Sequence, residues 1–351
     1  MIAARNVLRS IGLALAPAAL SLLAACSASR VSSAPVLATQ GVGPGADAHA
    51  APDTGGATVP TFSTSFTYSG KKYAVKMVGT DPTTSSVTTT VNDQVVPVKL
   101  VFSNGVSLDG AAQTSTLTGS PIWINGSYPE GTTQYGDALM RSEFWTYTQS
   151  TTYHLLLGTP TVEPTQRIVV PSADGFTTGT GSSLQGFVAY AWFIQTIEPQ
   201  LLQSLSIDPH TLTIFLTQKT QVLEQNGHCC FNGYHNSFPI TISSGPATFT
   251  TAWSSVSSKN VTHMAHEIAE WMNDPFYTNA VPKWVDPVSG ACGGGKLEVG
   301  DPTASFLYTV NGYHVEDMTF YSWFTRTSPS IGINGQYDMR NMLTGPAAVC
   351  P

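Results

Sequence analysis

The run Val261-Thr262-His263-Met264-Ala265-His266-Glu267-Ile268-Ala269-Glu270-Trp271-Met272-Asn273-Asp274-Pro275 decides how this chain is read. On a helical wheel at about 100° per residue, His263, His266, Glu267, Glu270 and Asp274 share an arc of about 100°. Met264, Ile268, Trp271 and Met272 fall on the other side. The pattern predicts an amphipathic helix with one face to bury, ended by Pro275. Its polar stripe is unusual. Acid-rich surface helices ordinarily carry Lys or Arg for i,i+4 pairing, and this stripe has neither. Its carboxylates also lie toward the C-terminal end, where the helix dipole disfavours negative charge. Acids crowded in this way point to a bound cation. The bland alternative is a solvated helix with satisfied histidines.

His266-Glu267-x-x-Glu270 resembles the His-Glu-x-x-His helix of zinc metalloproteases, with glutamate in place of the second histidine. The resemblance implies that His266 and Glu270 are metal ligands and that Glu267 is the general base. It also implies a zincin-like fold, in which a mixed sheet carries a backing helix and an active-site helix. The glutamate is a departure from that motif. A carboxylate ligand suits Zn²⁺, and it also admits Ca²⁺ or Mn²⁺. A third ligand is sought in Gly295-Lys296-Leu297-Glu298-Val299-Gly300-Asp301-Pro302, where Glu298 is the first choice. The further candidates for ligand or supporting roles are Asp301, His235, His263 and Asp274, with His314 behind them.

Three motifs together resemble a group of secreted bacterial proteins. They are Cys229-Cys230-Phe231-Asn232-Gly233-Tyr234-His235, His266 to Pro275, and Leu297-Glu298-Val299-Gly300-Asp301-Pro302. More distantly, His266 to Asp301 is similar to the plant Exordium, or phosphate-induced, proteins. Neither group brings an established reaction, so the resemblance marks residues rather than chemistry.

Outward from the helix, secondary-structure signals interleave. Phe62 to Phe102 reads as strands, with a hairpin turn at Ser69-Gly70-Lys71, and Pro97 marks an edge or a bulge. Asp137 to Tyr147 reads as a helix with Leu139, Met140, Phe144 and Tyr147 on its stripe. Leu184 to Leu205 reads as a second helix, kinked at Pro199, and Thr211 to Leu216 as a strand. Short strands follow near Ile240 and Phe249. An α/β or α+β domain is expected. Trp271, Trp284, Trp323 and Phe324 belong to a core or line a cleft, and core is the commoner fate.

The amino terminus reads as an address. Arg5 and Arg9 precede the apolar run Ile11 to Leu23, and Leu23-Ala24-Ala25-Cys26 matches a lipobox. Residues 1–25 are thus expected to be a lipoprotein signal peptide, with Cys26 acylated and held on a lipid bilayer of the bacterial envelope. Cleavage there would move the formal charge from −7 to −9. No basic footprint is left for nucleic acid. Residues 26–60, rich in Ala, Gly, Ser, Pro and Thr, are expected to be a flexible tether. About 290 residues remain, divided here into a β-rich segment, 61–118, and a metal-binding domain, 119–351.

Outside the cytoplasm, Cys229, Cys230, Cys292 and Cys350 are expected to form disulfides. A bond between sequence neighbours is strained, so Cys229 and Cys230 are expected to reach separately to Cys292 and Cys350. The functional expectation is an envelope-anchored, metal-dependent hydrolase. It would be a zinc peptidase using metal-activated water on peptide or protein substrates. The alternative is a non-catalytic cell-surface binding module with a structural metal such as Ca²⁺.

Overall fold

The computed structural model describes residues 56–224 and 229–350. The expected signal peptide, Cys26 and nearly all of the tether lie outside the described residues. No helix among the described residues is long and apolar enough to cross a membrane. The architecture is mixed α/β, with short helices set around a large mixed sheet.

β1 (Thr61–Tyr68) and β2 (Lys71–Val78) form an antiparallel hairpin with Tyr68 opposite Lys71. A two-residue turn that follows the strand twist needs positive φ at both positions. Ser69 (φ 48°) and Gly70 (φ 78°) adopt it, at the expected place. β3 (Asp93–Phe102) enters the main sheet, α1 (Tyr135–Glu143) follows, and β4 (Gln166–Val170) returns beside β3. The chain then passes through α2 (Glu198–Ser204), β5 (Leu212–Thr217), β6 (Gly233–Ile242) and β7 (Gly245–Ser255) to α3 (Thr262–Asn273). Across the sheet the order is β4-β3-β5-β7-β6. Neighbours among the first four run parallel, and β6 pairs antiparallel with β7 at the end of the order. The 61–118 segment thus supplies an interior strand of the main sheet.

Alternation across the strands separates two cores. On β5, Leu212, Ile214 and Leu216 join one apolar cluster and Phe215 joins the other. On β7, Ala252 faces the first cluster, while Phe249 and Trp253 face the second. Both sheet faces are covered, so the strands carry few charges. The first face receives α3, whose Met264, Ile268, Trp271 and Met272 are all buried, as its periodicity predicts. The second receives the helical run 190–204 through Phe193, Ile194, Leu201 and Leu202.

Three local expectations are corrected. The helix expected from Leu184 begins only at Tyr190, because Gln185–Ala189 is a strand between Gly175–Thr178 and Thr220–Leu223. Sheet pairing there overrides helix periodicity. A π-helical turn, Phe193–Ile197, lies just before Pro199, which has no N–H to offer the ladder. The helix expected to reach Tyr147 breaks at Phe144 (φ −108°, ψ 27°), which leaves Tyr147 on the surface while Leu139, Met140 and Phe144 stay buried. Pro97 is on an interior strand, not an edge or a bulge. It lies opposite Leu216 on one side and opposite a break in the neighbouring strands, between Val162 and Gln166, on the other. A strand tolerates a missing donor where its neighbour is interrupted.

Candidate metal centre

The stripe of α3 is not solvated. Glu267 and Glu270 are buried, and His266 is nearly so. They face a cleft of about 390 Å³ whose walls also include His235, Glu298, Asp301 and Glu316. Among the described residues, no Lys or Arg lines it.

Each side chain arrives from a different element. His235 lies on β6 opposite Ala252, whose side chain faces the layer that holds α3. Glu298 is held between Leu297 and Val299, both fully buried, so the loop cannot turn it away without exposing one of them. Asp301 opens the short helix Asp301–Thr303 and is half exposed at the mouth. Glu316 ends β8 (Tyr313–Glu316), which packs against α3.

Glu270 is the centre of the arrangement. Its Oε1 is 3.1 Å from His266 Nε2 and accepts the Gly300 N–H at 3.1 Å. Its Oε2 is 3.5 Å from His235 Nδ1, and Glu267 Oε2 is also 3.5 Å from that nitrogen. Asp301 Oδ1 is 3.8 Å from His266 Nε2. Two donors each about 2.1 Å from one ion stand roughly 3–3.5 Å apart. The spacings around the two histidines fit that geometry.

On its other side, His266 Nδ1 meets Glu316 Oε2 at 2.8 Å. A neutral imidazole that donates Nδ1–H to a carboxylate presents a lone pair at Nε2. That lone pair would face Glu270 Oε1, an arrangement stable only with a proton or a cation between them. Carboxylate–histidine pairs of this kind orient metal ligands. Two atoms in the cleft have no hydrogen-bond partner although buried: His235 Nε2 and Glu298 Oε1. A divalent ion is what such donors accept, so this donor set fits one.

The electrostatics agree. Burial works against a charged His266, yet Glu270 and Glu316 outweigh it and push the ring well above its ordinary range. Burial likewise opposes a charged His235, and Glu298, Glu267 and Glu270 overcome it. Burial opposes ionisation of Glu270, but the two histidines hold it below the usual carboxylate range. Burial and the neighbouring Glu270 carboxylate push Glu298 well up. In the absence of a metal, protons on His266, His235 and Glu298 offset the Glu270 charge, and these are the positions a bound cation would take over.

Two glycines make the close packing possible. A Cβ on Gly300 would overlap the His266 ring, and one on Gly233 would lie 2.6 Å from Glu267 Oε1.

The expected residues sort unevenly. Within 4.8 Å of one another stand ligand atoms of His266, Glu267 and Glu270, and separately those of His235, Glu270 and Glu298. Glu298 thus groups with His235 rather than with His266. Asp274 is occupied elsewhere: its two oxygens accept the N–H groups of Thr278 and Asn279. His263 lines the mouth but joins neither group. His314 is exposed and contributes only backbone bonds to the start of α3. In the segment Gly312 to Glu316, sequence reading chose His314 and passed over Glu316, since nothing local marks Glu316 as the partner of His266. Trp271, Trp284, Trp323 and Phe324 are all core. The aromatic lining is instead Tyr190, Phe231, Tyr234 and Tyr277. Tyr234 stacks on Trp253 at 5.1 Å and donates its hydroxyl to the buried Glu198, which ties the cleft wall to α2.

The cysteines pair otherwise than expected. Cys229 bonds Cys230, and Cys292 bonds Cys350. Trp284–Val285 pairs with Cys292–Gly293 on one side and bridges to Val349 on the other, which brings Cys292 and Cys350 together with Cα atoms 5.4 Å apart. Cys229 and Cys230 are left to each other, and Cys230 lies in the wall of the cleft.

Compared with protein-family models, curated proteins and solved structures, the chain matches none.

Proposed function

We propose that the protein is a metal-dependent hydrolase acting on peptide or protein substrates, with zinc the first-choice ion. One observation carries the reading: histidines and carboxylates from separate elements converge, largely buried, with donor atoms left unpartnered and, among the described residues, no Lys or Arg beside them. The zincin resemblance adds to it. In this protein a mixed sheet with an antiparallel strand at the end of its order stands between the helical run 190–204 and the His-Glu-x-x-Glu helix.

A divalent ion in this cleft would polarise a carbonyl and make a water acidic enough to attack it. His266 and Glu270 are its ligands from α3, and Asp301, Glu298 and His235 are the donors nearest them. Glu316 holds the His266 ring with Nε2 turned toward Glu270. Glu267, in the cleft beside His235, is the general base whose carboxylate takes a proton and returns it to the leaving group. Tyr190, Ile194 and Phe231 offer an apolar wall for a substrate side chain.

Metal analysis of the purified protein and turnover on a peptide library test this. Wild type should retain metal through dialysis, and Glu270→Ala should lose it. Glu267→Gln should keep metal and fold while losing hydrolysis by about 10²-fold or more. A metal-free wild type of unchanged stability would remove the proposal. Full function in Glu267→Gln would leave the alternative, a binding module with structural Ca²⁺.

A further inference from the structure

We propose that the cleft holds a pair of divalent ions bridged by the Glu270 carboxylate. This rests on the metal-dependent reading above and deepens it. The two Glu270 oxygens serve different histidines: Oε1 is 3.1 Å from His266 Nε2, and Oε2 is 3.5 Å from His235 Nδ1. The donors form two groups whose shared member is Glu270. His266 and Glu270, with Asp301 Oδ1 at 3.8 Å from His266 Nε2 and the general base Glu267 beside them, make one; His235, Glu270 and Glu298 make the other. A carboxylate with one oxygen in each of two donor groups is the usual bridge of two-metal sites, whose ions stand about 3.5–4 Å apart.

The second group has evidence of its own. His235 is 6% exposed and Glu298 is 8% exposed, both line the cleft, and Glu298 Oε1 has no hydrogen-bond partner. Neither is explained by an ion at His266 alone. Charge points the same way. Glu267, Glu270, Glu298, Asp301 and Glu316 all line the cleft. With no Lys or Arg among the described lining residues, these carboxyl groups offer more anionic donors than one divalent ion takes.

The test uses full-length protein loaded with Mn²⁺ or Zn²⁺. Titration calorimetry and elemental analysis should give two equivalents per chain. Mn²⁺-loaded wild type should give the exchange-coupled electron paramagnetic resonance spectrum of neighbouring ions, a readout that needs no variant. The double variant His235→Ala/Glu298→Gln should bind one equivalent and give the hyperfine spectrum of an isolated ion. One equivalent in wild type, or two without coupling, overturns the bridged pair and leaves the hydrolase proposal standing. No bound metal overturns both.

Discussion

At the residue scale, the proposed metal site leans on a side chain outside the candidate ligands. Glu316 accepts a hydrogen bond from His266 Nδ1–H and so fixes which nitrogen faces Glu270. Removing such a partner typically costs 10–100-fold in metal affinity. Glu316→Ala is therefore expected to weaken Zn²⁺ binding by about that factor, with little change in the circular dichroism of the folded protein. Competition with a chelator of known affinity measures it, and an unchanged affinity would show that the His266 ring is held by other means. The glycines act on the same small scale. Gly233 and Gly300 sit where any Cβ would collide with Glu267 or His266, so both are legible as glycines but not as part of a site until the contact is seen.

At the scale of elements, α1 packs against α3 and brings Glu143 into the core, where it is fully buried. Its Oε2 accepts the Tyr321 N–H at 3.1 Å, and burial pushes its pKa from 4.5 to about 8. A carboxyl whose folded pKa is raised keeps its proton in the native state while the unfolded chain loses it. Stability from this group is thus complete below about pH 4.5, falls as pH rises toward about 8, and levels off above. Asp93, pushed up by burial to about 7, has the same sign. Glu143→Gln is expected to flatten the decline, since its amide cannot ionise. Urea midpoints between pH 5 and pH 8 would check this, and an equally steep decline in the variant would assign the slope elsewhere. The helix expectations at this scale succeeded where burial alone decides and failed where pairing intervenes. The α3 face followed its period, whereas Gln185–Ala189 yielded to two neighbouring strands.

Over the whole molecule, the disulfide Cys292–Cys350 joins residues 58 apart. It closes the chain around the loop that carries Glu298 and Asp301. Constraining an unfolded loop of that length is worth about 4 kcal/mol in the chain-entropy model. Cys350→Ser should lower unfolding free energy by roughly that amount, and thiol reduction of wild type should produce a similar loss in denaturant titrations. Stability indifferent to both would mean that the packed ribbon alone holds the terminus. The amino-terminal address makes a separate prediction. Cys26→Ala should shift the protein from the membrane fraction to the soluble extracytoplasmic fraction of an expressing bacterium, and continued membrane pelleting would argue against acylation as the anchor.

What the sequence determined by itself is the local physics of its periodic segments. The α3 stripe, its apolar opposite face and the hairpin turn at Ser69-Gly70 follow from side-chain spacing and backbone sterics, which need no distant partner. The candidate ligands on α3 were legible for the same reason, because residues four apart share a helix face. Only the tertiary structure decided which distant groups met them. It placed Glu298 with His235, set Glu316 behind His266, turned Asp274 onto backbone N–H groups and paired Cys229 with Cys230. Those choices depend on how the sheet and its covering loops pack. Contacts between residues far apart in the chain are set by that packing, and a helical period carries no information about it.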